Sequence, residues 1–251
     1  MLPLHHFYHC YCDGDWLLPV QEHFDALVSS GLYDALDTLH VGFVGSEPNI
    51  AAARSFLADF DFETCAMVAE GFEQETLDHL WEFSFNHDGL CFYAHTKGAA
   101  NYASINDAWR RSMTFFNVIG WRRPVTALTD GKAIAGCHWI RGNPDEERLV
   151  DAWRNRHLNP PGLDGVGGMF GGNFWWARLD LIRRNCEPTR VSRMDAEHWL
   201  GQLSEVVPIN DDTIFDMNPN PITRQHLVTR WDDNGQPVEG PPAGVGIDRR
   251  A

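Results

Sequence analysis

No stretch of this chain approaches the roughly 18 consecutive apolar residues that a membrane-spanning helix requires, so no membrane span is expected. Nor does an apolar run follow basic residues near the N-terminus, so no signal peptide is expected and a cytoplasmic location is. Positive charge is scarce: 20 Lys and Arg face 35 Asp and Glu, a formal net charge of -15. Sequence-independent grip on duplex nucleic acid needs a basic footprint, and that class is disfavoured. The basic residues that do occur bunch between Arg110 and Arg193. No C-x-x-C pair occurs. Cys10, Cys12, Cys65, Cys91, Cys137 and Cys186 fall mostly in apolar runs, which reads as free thiols in a reducing compartment. Cys10 and Cys12 share one strand face, but the further ligands a zinc site needs are missing. There is no internal repeat.

What the chain has is core-forming material: 251 residues, 43% hydrophobic, with 10 Trp. That suffices for one large α/β domain with an appended C-terminal section. The pattern is organised around Gly89 to Gly98, G-L-C-F-Y-A-H-T-K-G. The uncharged run Leu90 to Ala94 reads as a strand buried on both faces. His95, Thr96, Lys97 and Gly98 stand at its carboxyl end, where open α/β sheets bind ligands. A cation, a hydroxyl and an imidazole there suit a phosphate-bearing ligand.

Ahead of it, strands are expected at His5–Cys12, Leu39–Val44 and Phe62–Ala69, and helices at Leu17–Ser30, Asn49–Asp59 and Glu73–Phe85. Strand and helix alternate with short connections, which predicts a parallel sheet flanked by helices on both faces. Beyond it the spacing predicts a helix over Ser104–Ile119, a strand-like piece over Lys132–Ile140, and helices over Leu179–Arg184 and Asp195–Leu203. The Pro- and Gly-rich span 155–172 reads as a functional or mobile loop, and the polar tail from Asn218 as surface-wrapping or disordered.

Four groups carry candidate chemistry. Tyr11, Asp13 and Asp15 follow the first strand; the two carboxylates suit ribose or base hydrogen bonds, or a divalent cation, or simply a capped turn. Lys97 can neutralise a diphosphate and His95 can donate to it. Gly172, Asn173, Phe174, Trp175 and Trp176 form either core or an apolar platform for a sugar ring, with Asn173 at its edge. Asp195 is a helix cap or a second carboxylate beside Glu197, which can serve as a general base if it faces a cleft.

Together these segments resemble a family of glycosyltransferase-like proteins from bacteria and phages. The matching pieces are F-Y-H-C-Y (7–11), S-G-L-Y-D-A-L after the first helix, Y-A-H-T-K-G (93–98), W-R-R-S-M (109–113), G-G-N-F-W-W-A (171–177) and R-M-D-A-E-H-W-L-G (193–201). The resemblance implies a GT-A-type fold spanning 1–217. Residues 1–100 would be the Rossmann-like nucleotide-binding half, 101–217 the acceptor-binding half, and 218–251 an extension. It implies a nucleotide-sugar donor, with Glu197 as general base and inversion at the anomeric carbon. In that fold the metal-binding D-x-D normally follows the fourth strand of the first half, where this chain has His95, Thr96 and Lys97. The departure implies metal-free diphosphate binding through Lys97, His95 and Arg110 or Arg111, with no obligatory cofactor. Mn2+ or Mg2+ is admitted at Asp13 and Asp15. The acceptor is expected to be a glycan, with a modified DNA base or a small molecule as alternatives. A non-catalytic nucleotide- or carbohydrate-binding protein on the same fold and a nucleotidyltransferase are the competing readings.

Overall fold

A computed structural model describes residues 2–100, 104–140, 168–190, 195–205, 212–218, 230–231 and 237–238. Arg193, Met194, residues 155–167 of the span expected to be a loop, and nearly all of the tail lie outside the described residues.

The alternation expected of the first half is present. β1 (Leu4–Tyr11), β2 (Thr38–Val44), β3 (Glu63–Val68) and β4 (Leu90–His95) are joined by α1 (Leu17–Ser29), α2 (Glu47–Phe56) and α3 (Gln74–Ser84). Pro48 sits at the first turn of α2, where its missing N–H costs nothing. α4 (Ser104–Thr114) runs into a π-helical turn over Phe115–Ile119, so the helix expected to Ile119 is widened in its last turn. α5 (Arg122–Thr129) and β5 (Ile134–Gly136) follow. The strand-like piece to Ile140 breaks at Cys137 and His138 and resumes as β6 (Trp139–Ile140), which pairs with β7 (Met169–Phe170). His138 has φ 63°, a left-handed conformation that no β-strand accommodates.

β7 falls within the 155–172 span expected to be a loop, where pairing with β6 makes residues 169–170 a strand, and two strands of the main sheet were not foreseen either. β8 (Trp175–Arg178) and β9 (Ile214–Asp216) complete a seven-stranded sheet of order β3-β2-β1-β4-β8-β5-β9. All pairings within β3-β2-β1-β4 are parallel, while β8 runs antiparallel to both β4 and β5. This is an α/β fold with a mostly parallel, mixed sheet. Because β8 is reversed, its amino end lies at the edge where the other strands finish.

Side chains divide by strand periodicity. Tyr8, Phe92, Ala135 and Trp176 pack with α1, α2, α4 and α5 on one face. Phe7, Tyr93, Ile134 and Trp175 pack with α3 and the short helix Leu179–Ile182 on the other. The tandem tryptophans therefore straddle the sheet. Trp176 stacks on Phe92 at 4.9 Å and Trp175 on Tyr93 at 5.2 Å, following the strand register.

Candidate functional site

At the carboxyl edge β1 ends on Tyr11 and β4 on His95, and the backbone fastens the two turns together. Thr96 N–H donates to His9 O at 3.0 Å, and Tyr11 N–H donates to Thr96 Oγ1 at 2.8 Å. Asp15 N–H donates to Ala99 O at 3.1 Å. Gly14, at φ 81°, lies so close to that carbonyl that a Cβ would come within 2.4 Å of it. Asp15 is exposed. Asp13 is not an open metal ligand on that side: its Oδ1 accepts from Ser46 N–H (3.0 Å), Ser46 Oγ (3.0 Å) and Asn49 Nδ2 (2.8 Å). The Asn49 hydrogen bond, then those from Ser46, hold its carboxyl below the ordinary carboxylate range. Among the described residues no group of three or more His, Cys, Asp or Glu is arranged to hold a metal ion.

The turn at Lys97 is clamped from beneath. Arg110, 2% exposed, donates to Lys97 O at 3.0 Å and to Glu22 Oε2 at 2.8 Å, and it pairs with Asp107 at 2.9 Å. Its guanidinium is thus occupied in joining α4 to α1 and to the turn. Arg111 pairs with the other Glu22 oxygen. Lys97 is half-buried, its ammonium 4.4 Å from the centroid of the Trp109 ring, a cation–π arrangement. Gly98 turns the chain at φ 91° with Asn106 and Arg110 packed against it.

His95 is 6% exposed and faces inward: its Nε2 is 3.0 Å from Gly172 O and its Nδ1 is 3.4 Å from Glu73 Oε1. It therefore fixes the approach of the Gly172 loop to β4. Trp109 Nε1 donates to Gly171 O, and a Cβ on Gly172 would meet Met113 Sδ at 2.5 Å. That loop is consequently held on three sides.

The residue at its centre is one that sequence reasoning passed over. Glu73, immediately before α3 and 5% exposed, accepts from Tyr93 OH at 3.0 Å and from Asn173 Nδ2 at 2.7 Å. Burial first, then the Glu73 charge and hydrogen bond, raise the Tyr93 phenol well above its ordinary 10.0, so it stays a donor. Asn173 sits at φ 61°, with its amide also 3.3 Å from Ala196 O and its Oδ1 accepting from Trp175 Nε1 at 2.8 Å. The short helix Asp195–His198 is thereby attached to the sheet edge; Asp195 and Glu197 on it are 6% and 7% exposed. Burial lowers the neighbouring His198 imidazole.

The expected acceptor platform is corrected by packing. Phe174, Trp175 and Trp176 are 1%, 1% and 0% exposed, with the Trp176 indole packed in the core on one face of the sheet and the Trp175 indole in the core on the other. Of that segment, Gly172 and Asn173 are the parts placed at the carboxyl edge. Of the sequence-predicted groups, Tyr11–Asp15 is bonded to the turn at Thr96 and Ala99, His95 to Gly172, and Asn173 to the backbone of Ala196, between Asp195 and Glu197. The Arg110 guanidinium lies beneath them.

The fold is α/β and Rossmann-like, of the GT-A type: a mostly parallel, mixed seven-stranded sheet flanked by helices. Residues 19–118 match a family described as a domain of unknown function (DUF8361). No curated protein matches the chain. Among solved structures it is similar to glucosyl-3-phosphoglycerate synthase from Mycobacterium tuberculosis in complex with Mn2+, uridine diphosphate and phosphoglyceric acid. The identity is 14% over 88% of this chain and 69% of that one, with a TM-score of 0.50. CMP:2-keto-3-deoxy-manno-octonic acid synthetase complexed with CTP aligns at 9% identity over 86% and 89%, with a TM-score of 0.46.

Proposed function

We propose that the chain is a glycosyltransferase that moves a sugar from a nucleotide-sugar donor to a hydroxyl acceptor with inversion. Glu197 takes the acceptor proton as general base, assisted in placement by Asp195, and the nucleoside diphosphate leaves against Lys97. The donor lies along Tyr11, Asp13, Asp15, Thr96, Lys97 and Gly98, with His95 and Arg110 supporting the turn from inside. The acceptor, a glycan by preference, approaches past Gly172 and Asn173. Residues 1–100 form the donor half and 101–217 the acceptor half.

The observation that carries this reading is the Asn173 amide. It joins the end of β4, through Glu73, to the carbonyl of the residue before Glu197. A cation-bearing turn and a carboxylate far apart in sequence are thus gathered at the ligand-binding edge of a nucleotide-binding fold. A divalent ion is a poor fit at the β4 end, where the side chains are His, Thr and Lys. It is also a poor fit at Asp13 Oδ1, which already accepts three hydrogen bonds. In this proposal Lys97 supplies the charge that a metal supplies elsewhere.

The test is thermal unfolding of the protein with UDP, GDP, CMP and dTDP and their sugars, each with EDTA and then with Mn2+. A ligand at 100 times its dissociation constant stabilises by about 2.7 kcal/mol. A shift with one nucleotide that survives EDTA, together with release of that nucleotide from its sugar, supports the proposal. A shift that requires Mn2+ overturns its metal-free part. Donor binding without any consumption of donor replaces the enzyme by a binding protein, and no shift with any ligand defeats both.

A further inference from the structure

We propose that Glu73 is a positioning residue for this edge. Its carboxylate locks the Gly172–Asn173 loop and, through it, sets the Glu197 helix against the Lys97 turn; the functional half of this proposal rests on the transferase reading above.

The argument is one of satisfaction. Glu73 is buried and accepts from Tyr93 OH and Asn173 Nδ2, with His95 Nδ1 3.4 Å from its second oxygen. Asn173 is a non-glycine residue at φ 61°, a conformation that costs free energy and persists only where its surroundings over-determine it. Three side-chain bonds supply that determination: to Glu73, to Ala196 O and from Trp175 Nε1. Remove the carboxylate and the phenol and amide lose their shared acceptor in a buried site, so the loop has cause to relax. A displacement of about 1 Å between reacting groups is enough to cost about 100-fold in rate. Binding of a donor to Lys97, whose carbonyl is held by Arg110 and whose ammonium lies over Trp109 rather than against Glu73, is spared.

Glu73→Ala and Glu73→Gln test this together. The glutamine keeps one oxygen able to accept from both Tyr93 and Asn173. Expected is a fall of about 100-fold in UDP release from UDP-glucose for Glu73→Ala, UDP affinity within a few-fold, and recovery of most turnover in Glu73→Gln. Should Glu73→Ala fail to fold, Asn173→Gly takes its place. Glycine suits the left-handed backbone yet removes all three bonds, and the same loss of turnover at unchanged UDP affinity is expected. Wild-type turnover in Asn173→Gly overturns the proposal.

A ligand-independent measurement separates this from the transferase reading. The Trp175 indole N–H bonds to Asn173, whereas the Trp176 indole N–H bonds to Asn117 O. Hydrogen exchange of the Trp175 indole should accelerate at least 10-fold in Glu73→Ala or Asn173→Gly while that of Trp176 does not. Equal rates at both indoles overturn the positioning role. A wild-type protein that neither binds UDP nor consumes UDP-glucose, but shows the selective acceleration, overturns UDP-glucose as the donor and keeps the loop lock.

Discussion

His6 Nε2 and His23 Nε2 stand 2.8 Å apart with both side chains shut off from solvent. His6 Nδ1 donates to Phe92 O at 3.0 Å, so in its neutral form Nε2 is bare and His23 is the donor between the rings. His23 Nδ1 is then left without a partner among the described residues, its ring stacked on Tyr8 at 4.4 Å. A proton added at His6 Nε2 would set two N–H groups head to head, and one added at His23 Nδ1 would be a buried donor with no acceptor among the described residues.

Acid should therefore weaken the fold. Burial lowers the His6 imidazole from 6.5 to about 4, and burial followed by the His6 and His95 charges lowers His23 well below 6.5. Above pH 6.5 these groups are neutral in both states and contribute no slope. Between pH 6.5 and about 4 the unfolded chain binds protons that the folded chain refuses, so stability falls as pH falls, on the order of 3 kcal/mol for His6. Urea unfolding at pH 7.5, 6 and 5 measures this. A midpoint unchanged across the series would show that the pair accepts a proton in place.

Glycine substitutions separate backbone strain from crowding. Gly31 and Gly172 both have positive φ, 70° and 85°, but a Cβ on Gly31 meets nothing within 4 Å. On Gly172 it would lie 2.5 Å from Met113 Sδ and 2.9 Å from Trp109 Nε1. Gly31→Ala should cost about 1–2 kcal/mol for the left-handed conformation alone. Gly172→Ala should cost more and should lower UDP-glucose turnover as well, since the same loop carries Asn173. Unfolding free energies of the two variants decide it; equal losses would mean that Met113 yields freely.

Trp175→Ala and Trp176→Ala should act as core mutations. Each removes a side chain with no more than 1% exposure that stacks on a strand neighbour, and Trp→Ala in a core costs about 3–5 kcal/mol. Thermal unfolding of both variants should show a large drop in midpoint before any specific loss of acceptor use. A variant that melts like the wild type while losing acceptor use would restore the sugar-platform expectation.

How much of this was legible in the sequence follows from how local each signal is. β1 to β4 were readable because each is a run of six to eight residues bounded by turn chemistry and followed by an amphipathic helix. β8 and β9 have four and three residues, and β8 is defined by pairing with β4 some 80 positions earlier, so no local period announces it. Asn173 could be marked as an edge residue, but the depth of the indoles beside it depends on that unseen strand. Glu73 was invisible for a different reason. An acid at the start of a helix ordinarily complements the helix dipole in solvent, and only the fold brings Tyr93, His95 and Asn173 around it. Arg110 was picked out as a cation for the donor because its partner Glu22 lies on α1, 88 residues away.

Lys97 carries the most direct functional prediction. Its ammonium lies over the Trp109 ring at 4.4 Å, and its backbone carbonyl is held by Arg110, so the cation projects from a turn fixed independently of it. Lys97→Ala should leave the fold intact and weaken UDP binding about 10-fold or more, because a charged partner at a diphosphate contributes roughly 1.5–3 kcal/mol. Lys97→Arg should recover part of that affinity, and the wild-type affinity should fall with added salt while that of Lys97→Ala falls less. Calorimetric titration with UDP at two salt concentrations measures all of it. An alanine variant that binds UDP as the wild type does would move the diphosphate away from this turn and take the transferase geometry with it.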